Sequence, residues 1–297
     1  MILLKRGTLW DKVVRKTQMA ISTGALHPVP TEYEFIEDGG VRFFVRILSI
    51  LARKEEAKKK QEGEAGAGKE VNPFLPYEDD LFVADISDTH VALLNKFNVV
   101  EHHLLIVTRE FEDQEMLLTP GDFEALLACM AEYDCLGFYN GGEAAGASQK
   151  HKHLQVVPLP LAPEGPAVPV EPLLDAATLR DDFGTVPGFP FRHVFARMEQ
   201  GLLHSAEDTF TLYTAMLRRT GLISPKGNGP GRQSGPYCLL MTRSWMLLVP
   251  RSQEFFEAIS INSLGFAGAL LVRDRGQLKR IKEAGPMQIL TRVALPL

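Results

Sequence analysis

Two histidines and a glutamine recur at every second position of one short segment. His151, His153 and Gln155 are followed by Val156 and Val157, which favour β-structure. Side chains two positions apart lie on the same face of a β-strand, so the three polar groups are expected to point one way. Burying two imidazoles and an amide without partners is costly. The row is therefore a candidate for chemistry rather than plain core.

The imidazole and amide groups suggest chemistry on a phosphate. A neutral imidazole nitrogen can attack phosphorus near neutral pH if a hydrogen bond to the other ring nitrogen holds the right tautomer. Gln155 can donate an N–H to a phosphate oxygen but cannot transfer a proton. Alternate strand positions also suit two metal ligands, and a histidine in a strand is often structural. From these residues alone, catalysis, metal ligation and a structural role all stay open.

A glycine- and alanine-rich loop leads into the histidines. Residues 140–149 contain three glycines and end in two side-chain donors. Glycine permits backbone conformations that turn several N–H groups toward one anion. The loop residues expected to hold phosphate are Asn140, Gly146, Ala147, Ser148 and Gln149.

Several helices and strands are predicted to position this segment. A helix should begin at Thr119, with Pro120 in its first turn, and end near Gly137, directly before the loop. A Ser-to-acid spacing predicts a second helix from Ser205 to about Arg219. The other predicted helices cover 8–21, 277–284 and 286–295, and the predicted strands cover 41–52, 81–86, 90–97, 103–110, 191–198, 237–242 and 245–250.

The segment SQKHKHLQVVP, residues 148–158, resembles the His-x-His-x-Gln signature of the diadenosine tetraphosphate (Ap4A) phosphorylases, also called ATP adenylyltransferases. That family belongs to the histidine-triad-like superfamily and is related to the galactose-1-phosphate uridylyltransferases. Five further segments resemble the family in the same order, and together they cover most of the chain from about residue 50 to about residue 275. These segments are residues 72–81, 93–112, 139–149, 236–252 and 261–268.

The resemblance implies an α+β fold, with a mostly antiparallel sheet and helices packed on it. One compact histidine-triad-like unit would span residues 1–297 and be built from two sequence segments. Residues 1–165 would carry the phosphate loop and the histidine strand, and residues 175–297 would complete the sheet and the nucleotide site. Between them lies a proline-rich connector, residues 158–172. No internal repeat and no separately folding domain is expected.

The resemblance also implies a reaction, in which Ap4A and orthophosphate give ATP and ADP. His153 would attack the α-phosphorus and form an adenylyl-histidine, which orthophosphate would then discharge as ADP. His151 would orient His153, and Gln155 would hold non-bridging oxygens of the reacting phosphate. Gln155 favours phosphorolysis over hydrolysis, because hydrolytic members of the superfamily carry a histidine at that position.

Further substrate contacts are implied by the resemblance alone. A lysine of the charged stretch 53–70 would meet the phosphates, with Lys54 as the candidate. Ala269 stands where the family pattern has methionine, and Arg273 stands where it has lysine, so the fine contacts of this chain differ from the pattern. The remaining implied contacts come from Asn95, Lys96, Asn262, Ser263 and Leu264.

A divalent cation, expected to be Mg²⁺, would bridge the substrate phosphates, and no metal site built from protein ligands is predicted. Three cysteines without a C-x-x-C motif argue against the zinc site of the uridylyltransferases. Two alternatives remain open. One is an enzyme of the same fold that uses adenylyl sulfate or a sugar-1-phosphate. The other is a non-catalytic dinucleotide sensor, against which the intact His153 and Gln155 argue.

Composition bounds the partners. The 297 residues are 45% hydrophobic, which is ordinary for a globular protein, and the formal net charge is −5. A negative chain is a poor candidate for binding nucleic acid over its whole surface. No apolar run is long enough for a membrane span, and the first residues do not form a signal peptide. The expectation is a soluble, cytoplasmic protein, monomeric or a small homo-oligomer, with nucleotides as partners and no nucleic-acid or membrane partner.

Overall fold

The computed structural model describes residues 1–49, 72–198, 205–223 and 231–297. Lys54 and the rest of the stretch 53–70 lie outside the described residues. The helices are α1 (Leu9–Thr23), α2 (Pro120–Met130), α3 (Glu171–Asp175), α4 (Ala206–Thr220), α5 (Ser263–Phe266), α6 (Arg275–Ala284) and α7 (Pro286–Val293). The strands are β1 (Thr31–Asp38), β2 (Val41–Leu48), β3 (Phe82–Asp85), β4 (His90–Leu94), β5 (Leu104–Thr108), β6 (Cys135–Gly141), β7 (His153–Pro158), β8 (Thr178–Arg180), β9 (Phe183–Thr185), β10 (Val194–Arg197), β11 (Tyr237–Met241), β12 (Trp245–Pro250), β13 (Phe255–Phe256), β14 (Ile259–Ser260) and β15 (Ala269–Val272).

One large sheet organises the chain. Its ten strands follow the order β3-β4-β5-β7-β6-β11-β12-β10-β9-β8, and neighbouring strands run antiparallel. A smaller sheet has the order β1-β2-β15, with β15 parallel to β2. The predicted α+β class with a mostly antiparallel sheet is confirmed. Strands from both segments, 1–165 and 175–297, share the large sheet. That neither segment folds alone stays a prediction.

Each half of the large sheet repeats one strand order. The first half, residues 82–158, gives first-second-third-fifth-fourth, and the second half, residues 178–250, gives the same order. In both halves a helix, α2 or α4, connects the third strand to the fourth. The halves meet where β6 pairs with β11, with Phe138 opposite Leu240. The expectation of no internal repeat is therefore wrong at the level of topology.

The repeat does not duplicate the histidines. In the first half His153 pairs with Val107, and at the same place in the second half Trp245 pairs with Arg197. A tryptophan thus stands where the first half has its candidate nucleophile. The two halves share a backbone plan, but the described residues carry the His-x-His-x-Gln chemistry in one half.

Apolar layers cover both faces of the large sheet. Helices α1, α2 and α4 pack on one face, where Leu9, Phe123 and Tyr213 are fully buried. The smaller sheet and helices α5, α6 and α7 cover part of the other face, where Phe43 and Leu290 are buried. Burying such side chains contributes roughly 1.5–3 kcal/mol each. The histidine strand β7 lies inside the sheet, so apolar packing holds it on both sides.

Helix α2 begins as predicted but ends earlier. Thr119 Oγ1 accepts the N–H of Asp122, and the Asp122 carboxylate accepts the N–H of Thr119 at 2.7 Å, which forms a capping box. The predicted end near Gly137 is wrong, because the helix stops at Met130 and Cys135 begins β6. Strand β6 is buried on both faces of the sheet, so its sequence does not alternate between apolar and polar residues. Its apolar start was therefore interpreted as a continuation of the helix.

The other predicted elements are present with shifted ends. In α1 the apolar residues Leu9, Val13 and Ala20 are buried, and the hydroxyl of Thr8 donates to the carbonyl oxygen of Lys5. Ser205 caps α4 by accepting the N–H of Asp208 at 3.1 Å, as predicted. Strands β11 and β12 lie within the predicted strands 237–242 and 245–250 and pair as an antiparallel hairpin. Strand β7 begins at His153, and His151 precedes it in an isolated bridge.

Candidate active site

A cavity of about 570 Å³ lies on the face of the large sheet opposite α2. Strands β4, β5 and β7 contribute one wall, residues 73–81 a second, and the start of α5 together with β15 a third. Twelve of the predicted site residues line this cavity. They are Asn95, Lys96, Asn140, Gly146, Ser148, Gln149, His153, Gln155, Asn262, Leu264, Ala269 and Arg273.

His153 is held in one tautomer. Its Nδ1–H donates to the carbonyl oxygen of His151 at 2.8 Å, which leaves Nε2 as the unprotonated ring nitrogen. Burial lowers the pKa of His153 to about 4, and the charge of His151 acts in the same direction. The ring is therefore neutral at neutral pH, with a nucleophilic nitrogen in the wall of the cavity.

His151 acts through its backbone. Its ring lies outside the cavity lining, contrary to a simple three-residue polar row. The ring Nε2–H donates to the carbonyl oxygen of Thr108 at 2.9 Å, and Nδ1 accepts from the amide of Asn72 at 3.1 Å. Burial lowers its pKa. These bonds fix the segment so that the carbonyl oxygen of His151 accepts the Nδ1–H of His153. The predicted orienting role of His151 is thus compatible with its backbone carbonyl rather than with its ring.

Gln114 is a positioning residue that sequence reasoning missed. Its Oε1 accepts the backbone N–H of His153 at 2.8 Å, and its Nε2 donates to the carbonyl oxygen of Asn140 at 2.9 Å. The side chain is buried. Gln114 thus ties the nucleophile strand to the start of the glycine loop. A lone glutamine in a polar loop carries no signal of this role.

Phe74 forms an aromatic wall beside both histidines. Its ring centroid lies 5.4 Å from that of His153 and 5.6 Å from that of His151. Its segment, residues 72–81, is part of the family resemblance, but no residue pattern predicts a role for Phe74. This contact restricts the rotamer of His153 and keeps water from one face of its ring.

The backbone of the glycine loop is held by hydrogen bonds of its own. The N–H of Gly146 donates to Glu143 at 2.8 Å, and the N–H of Ala147 donates to Gly142 at 3.2 Å, both to carbonyl oxygens of the same loop. Ala147 also lies outside the cavity lining. Both donors are used within the loop, and the contact of these two backbone N–H groups with phosphate stays a prediction. Two residues of the loop, Ser148 and Gln149, still reach the cavity with polar side chains.

Gly146 permits the glycine loop to pass close to Asn262, at the start of α5. Its φ is +91°, and a Cβ built there would lie 2.7 Å from Cβ of Asn262 and 3.0 Å from its Cα. We expect Gly146→Ala to lower the free energy of unfolding by about 2–4 kcal/mol, since it combines backbone strain with a clash. Gly165→Ala is the matched control, because Gly165 has a φ of +96° and open space around it. Equal losses in urea unfolding would contradict the clash.

Ser263 is a structural link and not part of the cavity lining. It is fully buried, and its N–H and Oγ lie 3.0 and 2.6 Å from Oδ1 of Asn140. Asn262 accepts the N–H of Leu264 at 3.0 Å and so caps α5. The polar atoms of Ser263 join the start of α5 to β6, and its contact with substrate stays a prediction.

Arg251 places a buried cation behind the cavity. Its guanidinium donates to the carbonyl oxygens of Ala145, Ile261 and Val293 at 3.3, 2.8 and 3.0 Å. Within the described part of the chain it forms no ion pair. A buried charge held by carbonyl dipoles raises the positive potential nearby. Arg251 therefore favours an anion beside Gly146, and sequence reasoning missed it.

The cavity lining is cationic although the chain is negative. Three of its side chains are positively charged, Arg46, Lys96 and Arg273, and one is acidic, Glu78. Lys96 Nζ lies 2.5 Å from a carboxylate oxygen of Glu78. Across residues 1–49, 72–198, 205–223 and 231–297, no group of three or more His, Cys, Asp or Glu could hold a metal ion. The arrangement suits an anion with several charges.

The opposite face of β7 carries a buried ionic network. Lys152 Nζ lies 2.8 Å from Glu112 and 3.1 Å from Asp122, and Asp122 also lies 3.0 Å from Nε2 of His90. Burial raises the pKa of Asp122, but the hydrogen bond from His90 and the charge of Lys152 outweigh it and leave the pKa at about 2. The network anchors Lys152, which lies between the two histidines and directly precedes β7, to α2.

Comparison with known proteins identifies the family. The model of the Ap4A phosphorylase N-terminal domain matches residues 1–176, which is more than half of the chain. The chain belongs to the Ap4A phosphorylase family. The model of the ATP adenylyltransferase C-terminal domain matches residues 187–296. The family consists of enzymes, so the predicted enzyme class and the predicted resemblance are confirmed.

Individual relatives agree with this membership. Diadenosine 5',5'''-P1,P4-tetraphosphate phosphorylase 2 of Saccharomyces cerevisiae is 28% identical, over 93% of this chain and 90% of the relative. Protein APA1 of the same organism is 27% identical, over 90% and 88%. The structure of yeast Ap4A phosphorylase Apa2 in complex with AMP is 26% identical and superposes with a TM-score of 0.79, covering 100% of this chain and 98% of that chain. In the described residues, no helix is long and apolar enough to cross a membrane.

Proposed function

We propose that the protein cleaves Ap4A with orthophosphate to ATP and ADP through an adenylyl intermediate on His153. The observation that carries the proposal is the pinned, neutral imidazole of His153 beside Gln155 in a cationic cavity. Membership of the Ap4A phosphorylase family supplies the substrate class.

The first step forms a bond between Nε2 of His153 and the α-phosphorus. The bond from that phosphorus to the bridging oxygen breaks, and ATP leaves as an anion that needs no proton. Nδ1–H stays on the ring, so the adenylylated imidazole carries positive charge, and the carbonyl oxygen of His151 stabilises that charge at 2.8 Å. The Gln155 amide donates to a non-bridging oxygen of the phosphate during transfer.

In the second step, orthophosphate displaces His153 from the same phosphorus. An orthophosphate oxygen attacks, the Nε2–P bond breaks, and ADP leaves with the former orthophosphate as its β-phosphate. His153 returns to the neutral Nδ1–H tautomer without net gain of a proton. Two in-line displacements retain the configuration at phosphorus.

The cations of the lining neutralise the polyphosphate. Lys96 exchanges its contact with Glu78 for a phosphate oxygen, and Arg46 and Arg273 add charge on the same cavity. A divalent cation, Mg²⁺ in our proposal, would be carried by the substrate phosphates and would offset part of their negative charge, since the described residues offer it no ready cage of carboxylates. A contact of Lys54 with phosphate, a cytoplasmic location and the oligomeric state stay predictions.

The test is the fate of labelled orthophosphate. We expect incubation with Ap4A and labelled orthophosphate to give unlabelled ATP and ADP with the label in its β-phosphate. Unlabelled ATP and AMP would instead show hydrolysis, and bound but unreacted Ap4A would show a sensor. Adenylyl sulfate and ADP-glucose in place of Ap4A test the rival donors, and a higher kcat/KM with either would overturn the assignment.

The pH dependence of the first step should reflect the lowered pKa of His153. A histidine with an ordinary pKa of about 6.5 would lose roughly eightfold of its neutral form between pH 7 and pH 5.5. Because burial holds the pKa of His153 at about 4, the rate of ATP release in single turnover should stay nearly constant over that range. Omitting orthophosphate removes its own ionisation from the profile. A midpoint near pH 6.5 would contradict a buried, neutral nucleophile.

A further inference from the structure

His103 occupies a buried position between two polar side chains of the cavity. It immediately precedes β5 and is 7% exposed. Its Nδ1 lies 3.1 Å from Nδ2 of Asn95, and its Nε2 lies 3.0 Å from Oε1 of Gln155. Both ring nitrogens are therefore used by side-chain amides. The mechanism above assigns no role to His103.

The direction of donation along this chain of groups follows from a backbone atom. The N–H of Phe97 can only donate, and it lies 3.4 Å from Oδ1 of Asn95. The amide of Asn95 must then turn its Nδ2 toward His103. Nδ1 of His103 therefore accepts, and Nε2 carries the proton that it donates to Gln155. The donor and acceptor roles in each hydrogen bond thus fix the roles in the next one.

The hydrogen bond from His103 determines which atoms of the Gln155 amide face the substrate. With Oε1 occupied by His103, the side-chain amide of Gln155 keeps its Nε2 hydrogens for the cavity that it lines. The flipped amide would turn its oxygen toward a phosphate oxygen, and two acceptors would repel. Burial holds the pKa of His103 at about 4, so the ring stays neutral and can accept at one nitrogen while it donates at the other.

We propose that Asn95 and His103 form a polar relay that fixes the amide of Gln155 as a hydrogen-bond donor to the reacting phosphate. In this role His103 and Asn95 are positioning residues, and the contact of Asn95 is with His103 instead of with substrate. The kinetic part of the inference rests on the proposed nucleotidyl transfer, whereas the orientation of the relay does not depend on it.

The first experiment reads the relay without any activity. Nitrogen NMR of protein with labelled histidine should show the Nε2–H tautomer for His103 and the Nδ1–H tautomer for His153, with each signal assigned by its loss in a variant. The opposite tautomer in His103 would reverse the relay and overturn the proposal. This outcome is independent of which substrate the enzyme uses.

The second experiment is a double-mutant cycle on phosphorolysis of Ap4A. We expect His103→Phe and Gln155→Met each to lower kcat by about 100-fold, with KM little changed, because one oriented donor to the transition state is lost. If His103 acts through Gln155, the double variant should match Gln155→Met. Losses that multiply, to about 10⁴-fold, would show an independent role and overturn the relay.

Control variants separate positioning from folding. His193 immediately precedes β10, the counterpart of β5, and is buried as His103 is. His193→Phe should leave kcat within about threefold, since it removes a buried histidine away from the cavity lining. His103→Gln keeps a donor near the former Nε2 and should regain part of the rate. Asn95→Ala tests the same relay if His103→Phe does not fold. It should lower kcat several-fold in the wild-type enzyme and leave kcat unchanged in the Gln155→Met variant.

The two failures are distinguishable. Wild-type enzyme that makes no ADP would refute the proposed function, and the NMR tautomer would still decide the relay. Wild-type enzyme that makes ADP, with multiplicative losses in the cycle, would refute the relay alone.

Discussion

His153→Ala is expected to abolish the release of ATP from Ap4A, with a loss in kcat of about four orders of magnitude or more. The variant lacks the only nitrogen that the proposed mechanism joins to phosphorus. The carbonyl of His151, the Gln155 amide and the cavity cations stay in place, so binding of Ap4A should change by less than about tenfold. Single-turnover kinetics and equilibrium binding measure the two effects separately.

His193→Ala is the control for this loss. The Nδ1–H of His193 donates to the carbonyl oxygen of Phe191 at 2.7 Å, as that of His153 donates to His151, and burial lowers its pKa as well. Its Nε2, however, accepts the N–H of Val186 and lies outside the cavity lining. Activity in His153→Ala within tenfold of wild type would contradict covalent catalysis at this residue.

Asp122→Ala should lower the free energy of unfolding by about 3–5 kcal/mol. The variant leaves Lys152, which is fully buried, without its buried partner, and it removes the acceptor for His90 and half of the capping box of α2. Urea unfolding followed by circular dichroism measures the loss. Because the network lies on the face of β7 away from the cavity, KM of the folded variant should change little.

Asp134→Ala is the matched surface change. Asp134 forms an ion pair with Arg243 at 2.7 Å, but its side chain is 77% exposed. Exposed pairs contribute roughly 0–1 kcal/mol, so the two aspartate variants should differ several-fold in their effect. A loss below about 1 kcal/mol in Asp122→Ala would contradict the claim that the network anchors β7.

Local patterns predicted how the side chains of the histidine segment are placed. The period-two row of His153 and Gln155 placed both side chains on one face, and Lys152 on the other, as the structure has them. Thr119 and Ser205 marked the beginnings of two helices, because capping is a bond between near neighbours in sequence. The family resemblance added Asn95 and Lys96 to the site, which periodicity alone could not do.

Contacts between distant segments could not be predicted from the sequence. Gln114 meets His153 from another loop, and Ser263 meets Asn140 across more than a hundred residues. Arg251 is a buried cation whose partners are backbone carbonyls, which no residue pattern encodes. The repeat of strand order was hidden for a similar reason, since topology repeats while the side chains, His153 and Trp245 among them, do not.

The neighbours of the glycine loop could not be predicted from its sequence either. Gly146 was expected to free backbone N–H groups for phosphate, and the structure shows in addition that it gives room to Asn262. A glycine pattern indicates unusual backbone or close contact, and it does not say which neighbour makes the contact.

The most direct test of the central claim is to isolate the protein after reaction with Ap4A in the absence of orthophosphate and to map the modification. The account predicts one AMP per chain, stable in base and labile in acid, on Nε2 of His153, discharged as ADP when orthophosphate is added. Unmodified protein that nevertheless converts Ap4A and orthophosphate to ATP and ADP would contradict it, because the transfer would then be a direct displacement.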